Sequence, residues 1–291
     1  MDLSSNLQHE VFKLLAKAAA REQVETYVVG GYVRDLLLYG ENTTAKDIDI
    51  VVVGSGIKMA EKLRDAIPGE VHLAVFKNFG TAMLKWGQTE IEFVGARKES
   101  YRSTSRKPTV ENGSLEDDQN RRDFTINAMA ISLNPRSFGT LLDPFGGQKH
   151  LEEKLIKTPL NPGETFSDDP LRMLRGIRFA TRLGFHIEQE TLQAISEHRE
   201  RIVIISQERI TEELNKIMMC ERPSVGFKLL ESTGLLEIIF PELDQMKGVD
   251  EVNGQRHKDN FYHTLEVLDN ITRNTDDLWL RWACLLYTSP S

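Results

Sequence analysis

A glycine pair that leads into a helix, followed by two aspartates one residue apart, constrains this chain more than any other feature. Residues 29–40 read Val-Gly-Gly-Tyr-Val-Arg-Asp-Leu-Leu-Leu-Tyr-Gly, and a short polar stretch leads on to Lys46-Asp47-Ile48-Asp49-Ile50. Gly30 and Gly31 leave the apolar strand Tyr27–Val29, so backbone N–H groups can approach an anion with no Cβ in the way. The helix that follows points its positive end at the same anion. Asp47 and Asp49 flank Ile48 in a run that continues Ile50-Val51-Val52-Val53. The two-residue period of a strand sets both carboxylates on one face, with Cα atoms roughly 6.5–7 Å apart. That spacing suits two Mg²⁺ ions roughly 3.5–4 Å apart, the arrangement that serves in-line phosphoryl or nucleotidyl transfer. Alone, a Gly-Gly turn or a solvated strand start is ordinary. In this order, with Arg34 three residues past the glycines, the set points to catalysis. Two buried carboxylates on one strand face repel unless a cation or an arginine offsets them, which makes a purely structural role hard to motivate.

With 291 residues, 40% of them hydrophobic, the chain has room for about two domains with real cores. The net charge of −8 and a pI near 5.5 argue against a general nucleic-acid coat, for which a pI above ~9 is usual. The charge is uneven, however. From Arg97 to Lys107 five basic residues meet only Glu99, and the arginines 172, 175, 178 and 182 between Pro170 and Leu183 meet no acid. Basic patches on an acidic body suit a protein that grips one polyanion at one place. No apolar run approaches the ~20 residues of a membrane span, and Met1-Asp2-Leu3-Ser4-Ser5 lacks the order of a secretory signal. The expectation is a cytoplasmic protein without a membrane partner. Cys220 and Cys284, far apart in apolar surroundings, fit a reducing compartment.

Leu7, Val11, Leu14, Leu15 and Ala18 recur at helical spacing, so an amphipathic helix leads in. From Thr26 to about Pro144, the short β-rich runs 27–29, 48–53, 71–76, 81–86, 90–94 and 130–133 alternate with helical stretches at 33–38 and 58–66. Asn78-Phe79-Gly80 and Gly87-Gln88 mark two hairpins. The pattern predicts an α+β head: a small sheet, largely antiparallel on one side, with helices packed on one face. The polar stretch from Ser100 to Asn120 predicts a mobile loop. After Asp143-Pro144-Phe145-Gly146-Gly147 the chain reads as almost wholly helical. The expected division is 1–147, 148–240 and 241–291.

Ser167-Asp168-Asp169-Pro170 predicts a helix start, with Ser167 as N-cap, running on through Leu171-Arg172-Met173-Leu174-Arg175-Gly176-Ile177-Arg178-Phe179-Ala180. Capping alone is one reading. The other is nucleotide contact: Asp169, Arg172, Arg175 and Arg178 project along one slowly rotating side, with Leu171, Leu174, Ile177 and Phe179 on the other. A carboxylate beside a guanidinium matches the Watson–Crick edge of a base, and further arginines can clamp a triphosphate. Arg121 and Arg122 adjoin without an acid between them, which suggests a phosphate or carboxylate nearby. Asp123 after them reads as the N-cap of a short helix. Glu92, in Glu90-Ile91-Glu92-Phe93, reads first as an ordinary strand acid and second as a third metal carboxylate.

These segments, in this order, resemble the motifs of class II bacterial CCA-adding enzymes. They belong to the tRNA nucleotidyltransferase/poly(A) polymerase family of the DNA polymerase β superfamily. The first motif is 30–35 with Lys46-Asp47-Ile48-Asp49, and the second is 121–128. A hinge motif falls at 143–147, Asp168-Asp169-Pro170-Leu171-Arg172 stands where Glu-Asp-x-x-Arg is usual, and a supporting-helix motif spans 206–214. Asp for Glu at 168 shortens that acid by one methylene. The resemblance covers roughly 25–217 and implies a nucleotidyltransferase head followed by an all-helical neck and body. It implies that Asp47 and Asp49 bind Mg²⁺ and that Gly30, Gly31 and Arg34 meet the incoming nucleotide. Arg121 and Arg122 would contact its sugar or triphosphate, Asp169 and Arg172 would select CTP and then ATP, and Arg175 and Arg178 would hold phosphate. The implied activity is template-independent addition of CMP and AMP to the 3′ end of tRNA. A poly(A) polymerase, or a CC-adding or A-adding enzyme, shares the same head. A catalytically dead RNA-binding protein is the non-enzyme alternative, against which the intact Asp47, Asp49, Asp169 and Arg172 stand.

Residues 255–268 resemble the start of an HD domain, a metal-dependent phosphohydrolase module. In that module an apolar helix like Leu280–Leu286 runs into a His-Asp pair, and Tyr287 and Thr288 stand there instead. The expectation is a truncated HD-type domain unable to assemble its metal site, with the residues past 286 foreign to a longer natural protein. Its last apolar helix is expected to lack partners to bury it.

Overall fold

The computed structural model describes residues 1–102, 105–248, 251–252, 255–256 and 259–287. The chain forms two compact units, Met1–Glu153 and Lys154–Ser291. The first contains α1 (Glu10–Glu22), β1 (Thr26–Val29), α2 (Gly31–Tyr39), β2 (Asp47–Val52), α3 (Gly56–Ala66), β3 (His72–Phe76), β4 (Thr81–Trp86), β5 (Thr89–Gly95), β6 (Arg97–Arg102), β7 (Ser105–Asn112), α4 (Leu115–Asn120), β8 (Ala130–Ser132), β9 (Leu141–Leu142) and α5 (Gly147–Glu152). Seven strands make one sheet in the order β3-β4-β5-β2-β1-β8-β9. Only β2 and β5 pair in parallel, and every other neighbouring pair is antiparallel.

Alternation along the strands builds the core on one face of this sheet. Ile48, Ile50, Ile91, Phe93, Ala82 and Leu84 are buried, under α3, which contacts β2, β4 and β5 and in turn packs on α1. Of the apolar residues expected at helical spacing, Val11, Leu15 and Ala18 are buried on α1 and Leu14 only partly, while Phe12 and Ala19 join the buried side. The first turn of α3 is capped by the Ser55 hydroxyl, which accepts from the Lys58 N–H at 3.3 Å. It lies so close to β5 that a Cβ at Gly56 would meet the Val94 carbonyl carbon at 2.9 Å.

The expected mobile loop over Ser100–Asn120 is instead an antiparallel ribbon, β6 with β7, followed by α4. Thr, Tyr and Val are good strand residues, and a two-stranded ribbon needs no apolar period when backbone pairing supplies its contacts. Ser114 and Asp117 form a reciprocal capping box at the start of α4.

The second unit runs β10 (Leu155–Ile156), α6 (Pro162–Asp168), α7 (Leu171–Leu183), β11 (His186–Ile187), α8 (Gln189–His198), α9 (Gln207–Met218), α10 (Pro223–Ser232), α11 (Leu235–Ile239), α12 (Pro241–Asp244), β12 (Glu251–Val252), β13 (Gln255–Arg256), α13 (Asn260–Ile271) and α14 (Leu278–Tyr287). Its core joins Phe166, Leu174, Ile177, Ile217, Phe227, Leu265, Leu268 and Leu285.

Two expectations change here. Ser167 and Asp168 end α6 rather than opening α7, and Asp169 is extended (φ −136°, ψ 97°) between the two helices. The ring of Pro170 clashes with a helical residue before it, so a break at Asp169 follows. The last apolar helix is also not bare. Leu285 is buried, Trp282 packs on the core and its indole N–H donates to Asn215 Oδ1 at 2.7 Å. The guanidinium of Arg281 is buried and donates to the carbonyls of Met218 (2.9 Å), Cys220 (3.1 Å) and Thr275 (2.8 Å). His257, in the segment likened to an HD domain, lies outside the described residues.

Candidate active site

In the first unit β1 delivers the chain to Gly30, whose φ of +73° suits glycine and caps α2. A Cβ at Gly30 would stand 2.9 Å from Asp49 Oδ2 and 3.3 Å from Arg122 Nη1. Glycine here therefore lets a backbone turn, a carboxylate and a guanidinium converge. Gly31 opens α2, and Arg34 one turn on is buried. Arg34 Nε donates to Asp35 Oδ1 at 2.8 Å and Nη1 to Asn127 Oδ1 at 2.9 Å. Asn127 Nδ2 donates in turn to Asp123 Oδ1 at 3.1 Å. Asp123 is thus a link in a polar chain rather than a helix cap; the capping position of the short 3₁₀ turn Thr125–Asn127 falls to Phe124.

Asp47 and Asp49 share a face, as their spacing predicts, because Ile48 and Ile50 between and after them point into the core. Register extends that face across the sheet: Asp47 lies opposite Glu90 and Asp49 opposite Glu92 on β5, and Glu92 lies opposite Met83 on β4. Asp47 is exposed and Asp49 half-buried, so a buried pair is not what the fold builds. Glu90 meets Lys85 Nζ at 2.8 Å. Glu92 has its carboxyl raised above the ordinary value, first by desolvation on the sheet and then by the charge of Asp49, against the pull of Arg97. Asp49, the residue opposite it on β2, thus contributes to that shift.

The same face has two different halves. On the β1 side Tyr27, Val29, Val51, Ala130 and Leu115 of α4 form a buried cluster. On the β4 side it is open, with Met83 and Glu92 exposed.

Of the phosphate or carboxylate expected beside Arg121 and Arg122, the fold supplies a carboxylate, Asp118, fully buried on α4. Arg122 Nη2 approaches Asp118 Oδ2 at 2.8 Å, and Arg121 pairs with Oδ1. Burial alone would raise the Asp118 carboxyl, but the two guanidiniums outweigh it and hold it below the usual carboxylate range. Sequence reasoning passed over Asp118, although its i,i+3 and i,i+4 spacing to the arginines is the signal that marks it. Farther on, Asp143 accepts from the N–H groups of Gly147 (2.6 Å) and Gln148 (2.9 Å), and so caps α5.

In the helical unit Asp169 Oδ1 accepts from Leu171 N–H at 3.2 Å at the start of α7. Arg172 and Arg175 are half-buried along that helix, while Arg178 is buried and its Nε donates to Glu213 Oε2 of α9 at 2.6 Å. Phe179 belongs to the arginine side: the guanidiniums of Arg178 and Arg175 lie 4.1 and 5.4 Å from its ring centroid. Arg178 is therefore anchored to α9.

Among the described residues no group of three His, Cys, Asp or Glu side chains is placed to hold a metal ion, and no helix is long and apolar enough to cross a membrane. The donor set on β2 nonetheless fits Mg²⁺, a hard cation that commonly takes one or two protein carboxylates and completes its shell with substrate phosphates and water.

Residues 26–157 match the family profile described as the poly A polymerase head domain, and residues 184–247 match the probable RNA and SrmB-binding site of polymerase A. An A-adding tRNA nucleotidyltransferase of Aquifex aeolicus is 46% identical over 168 residues, covering 58% of this chain and 20% of that protein. One of Geobacter sulfurreducens is 36% identical over 276 residues, covering 94% of this chain and 28% of that protein. The chain thus spans less than a third of the length of either relative. A solved tRNA nucleotidyltransferase, complexed with a primer tRNA and an incoming ATP analog, superposes with a TM-score of 0.72 at 31% identity, over 94% of this chain and 75% of that one. The apo form II of a CCA-adding enzyme gives a TM-score of 0.78 at 31% identity, over 99% and 67%. The two profile matches, and the likeness of sequence and fold over most of the chain, show that the chain belongs to the tRNA nucleotidyltransferase/poly(A) polymerase family.

Proposed function

We propose that this chain is a nucleotidyltransferase that adds CMP and AMP, from CTP and ATP, to the 3′ end of tRNA without a template. The observation that carries the reading is the convergence of Asp49, Gly30 and Arg122, in which a strand carboxylate, a Cβ-free turn and a guanidinium meet within a few ångströms. Asp47 and Asp49 would hold Mg²⁺, which when bound activates the attacking hydroxyl and neutralises charge on the phosphates. Everything else falls to the chain itself. The Gly30–Gly31 turn and the start of α2 offer backbone N–H groups to the triphosphate. Arg122 and Arg121, held in place by Asp118, present fixed positive charge beside it, so no reorganisation is needed as charge develops. Arg34 braces the turn through Asp35 and Asn127.

On the helical unit, Asp169 and Arg172 supply an acceptor and a donor set that together match the edge of cytosine or adenine, and Arg175 adds a phosphate contact. Arg178, paired with Glu213, fixes the helix that carries them and lends its charge to the same edge. The expected three-part division of labour assigns chemistry to 1–147, base selection to 148–240 and an HD-type module, begun but incomplete, to 241–291.

A second reading, addition of AMP alone, is favoured by the name of the two relatives described above, both A-adding enzymes. The test supplies tRNA ending before its CCA, or ending in CC, with labelled CTP or ATP. Growth of both substrates to the full CCA supports the first reading, and growth only of the CC-ended tRNA with ATP supports the second. Long uncontrolled A tails indicate a poly(A) polymerase, and no incorporation with RNA retained indicates a binding protein.

A further inference from the structure

The open half of the carboxylate face has a use that follows from the stereochemistry of the reaction, and the inference rests on the proposed nucleotidyl transfer. In register across the sheet, Ala74, Met83, Glu92, Asp49, Val29 and Ala130 form one row. Asp49 sits in the middle of it. On the β1 side the row is sealed, with Val29 and Ala130 1% and 0% exposed beneath Leu115. Gly30 and Arg122, the groups placed to receive the triphosphate, also lie on this side, against Asp49 Oδ2. On the β4 side the face opens, with Met83 38% and Phe76 44% exposed.

An in-line displacement puts the attacking oxygen and the leaving pyrophosphate on opposite sides of the reacting phosphorus. If the triphosphate lies toward β1, the attacking 3′-hydroxyl must come from the β5–β4 side. We propose that the shelf formed by Met83 of β4 and Phe76 of β3 receives the last unpaired nucleotides of the RNA acceptor and aims its 3′-hydroxyl at Asp49. The shelf is contiguous with the reacting centre: two strand spacings put Met83 about 10 Å from Asp49, with only Glu92 between them in the row. Its chemistry suits a single strand. Apolar and aromatic surface stacks bases without regard to sequence, and the exposed Lys77 and Lys85 complement a phosphate backbone. Lys85 is already ion-paired with Glu90, so Lys77 carries most of that complementarity.

Two measurements on the full chain test this. A tRNA acceptor hairpin carrying a photoreactive pyrimidine at its 3′-terminal position is irradiated on the protein, and the crosslinked peptide is identified by mass spectrometry. Attachment within residues 72–86 is the expected result. Attachment to β1, β8 or the helical unit, or none at saturating RNA, overturns the proposal. In parallel, Met83→Glu and Phe76→Ser are compared with the unaltered chain in steady-state incorporation. The KM for RNA should rise about tenfold in each, with the KM for the nucleotide within about twofold and melting unchanged. An unchanged KM for RNA, or equal rises in both KM values, overturns it. So does a chain that is dimeric in solution and made monomeric by Met83→Glu, since a second copy would then be the occupant of the shelf. An unaltered chain that incorporates no nucleotide at all defeats the reading of function instead, and the crosslink position still judges the shelf.

Discussion

Asp118 and the pair Asp47 and Asp49 are acids of one unit in opposite electrostatic circumstances. Asp118 is sealed from solvent under two arginines that hold it ionised, whereas Asp47 reaches water and Asp49 is only half covered. Glu213, buried against Arg178 and Lys216 in the helical unit, repeats the first arrangement. An acid whose charge is compensated inside the fold orders the groups around it. An exposed acid such as Asp47 stays within reach of ions in solvent. The difference separates an acid that orders its neighbours from the pair proposed to hold the cation.

The sharpest way to break this comparison is to remove the working acids. Asp47→Ala with Asp49→Ala should lower nucleotide incorporation by about 10³-fold or more, with a melting temperature displaced by about 2 °C or less. A large loss of stability would show that the β2 acids are structural after all. Asp118→Ala should do the reverse in its primary effect, destabilising the sheet unit by roughly 1–3 kcal/mol in urea because two half-buried guanidiniums lose the carboxylate that holds them.

The pH dependence sharpens the same point. Since the folded pKa of Asp118 lies below its unfolded value, the unfolded chain binds more protons between the two. Its stabilisation is complete above about pH 4 and is lost as the pH falls through the depressed value. Asp118→Asn should therefore flatten the acid limb of stability against pH.

Gly30→Ala should cost about 1–3 kcal/mol through its left-handed backbone and the contact with Asp49 Oδ2, and it should raise the KM for the nucleotide. The smallest effect belongs to Glu92. Its raised carboxyl means that the folded chain holds that proton more tightly, so stability falls as pH rises through the folded pKa. Glu92→Gln should restore a few tenths of a kcal/mol at neutral pH, because solvent screens most of the repulsion.

The strand–turn–helix of residues 26–39 and the shared face of Asp47 and Asp49 could be read from residue order, because each depends on a short-range rule, glycine freedom or the pleat. The split between α6 and α7 was also written there, since proline at 170 restricts residue 169, but the capping pattern of Ser167 and Asp168 masked it. Asp118 was harder to find. Among the adjacent Glu116, Asp117 and Asp118 its spacing to both arginines singles it out, but only once the stretch from Leu115 is known to be helical, and that stretch carries no apolar period. The β6–β7 ribbon carried no apolar period because its order comes from paired backbone, which composition does not register. Glu92 gained its coupling to Asp49 from a parallel strand pairing that joins residues far apart in the chain.

The buried guanidinium of Arg281 gives the last helix a reach beyond its own packing. By donating to the carbonyls of Met218 and Cys220 it closes the frayed end of α9, and α9 is the rod that carries Glu213 to Arg178. The last helix is thereby joined, through one terminated helix and one salt link, to the row of arginines on α7.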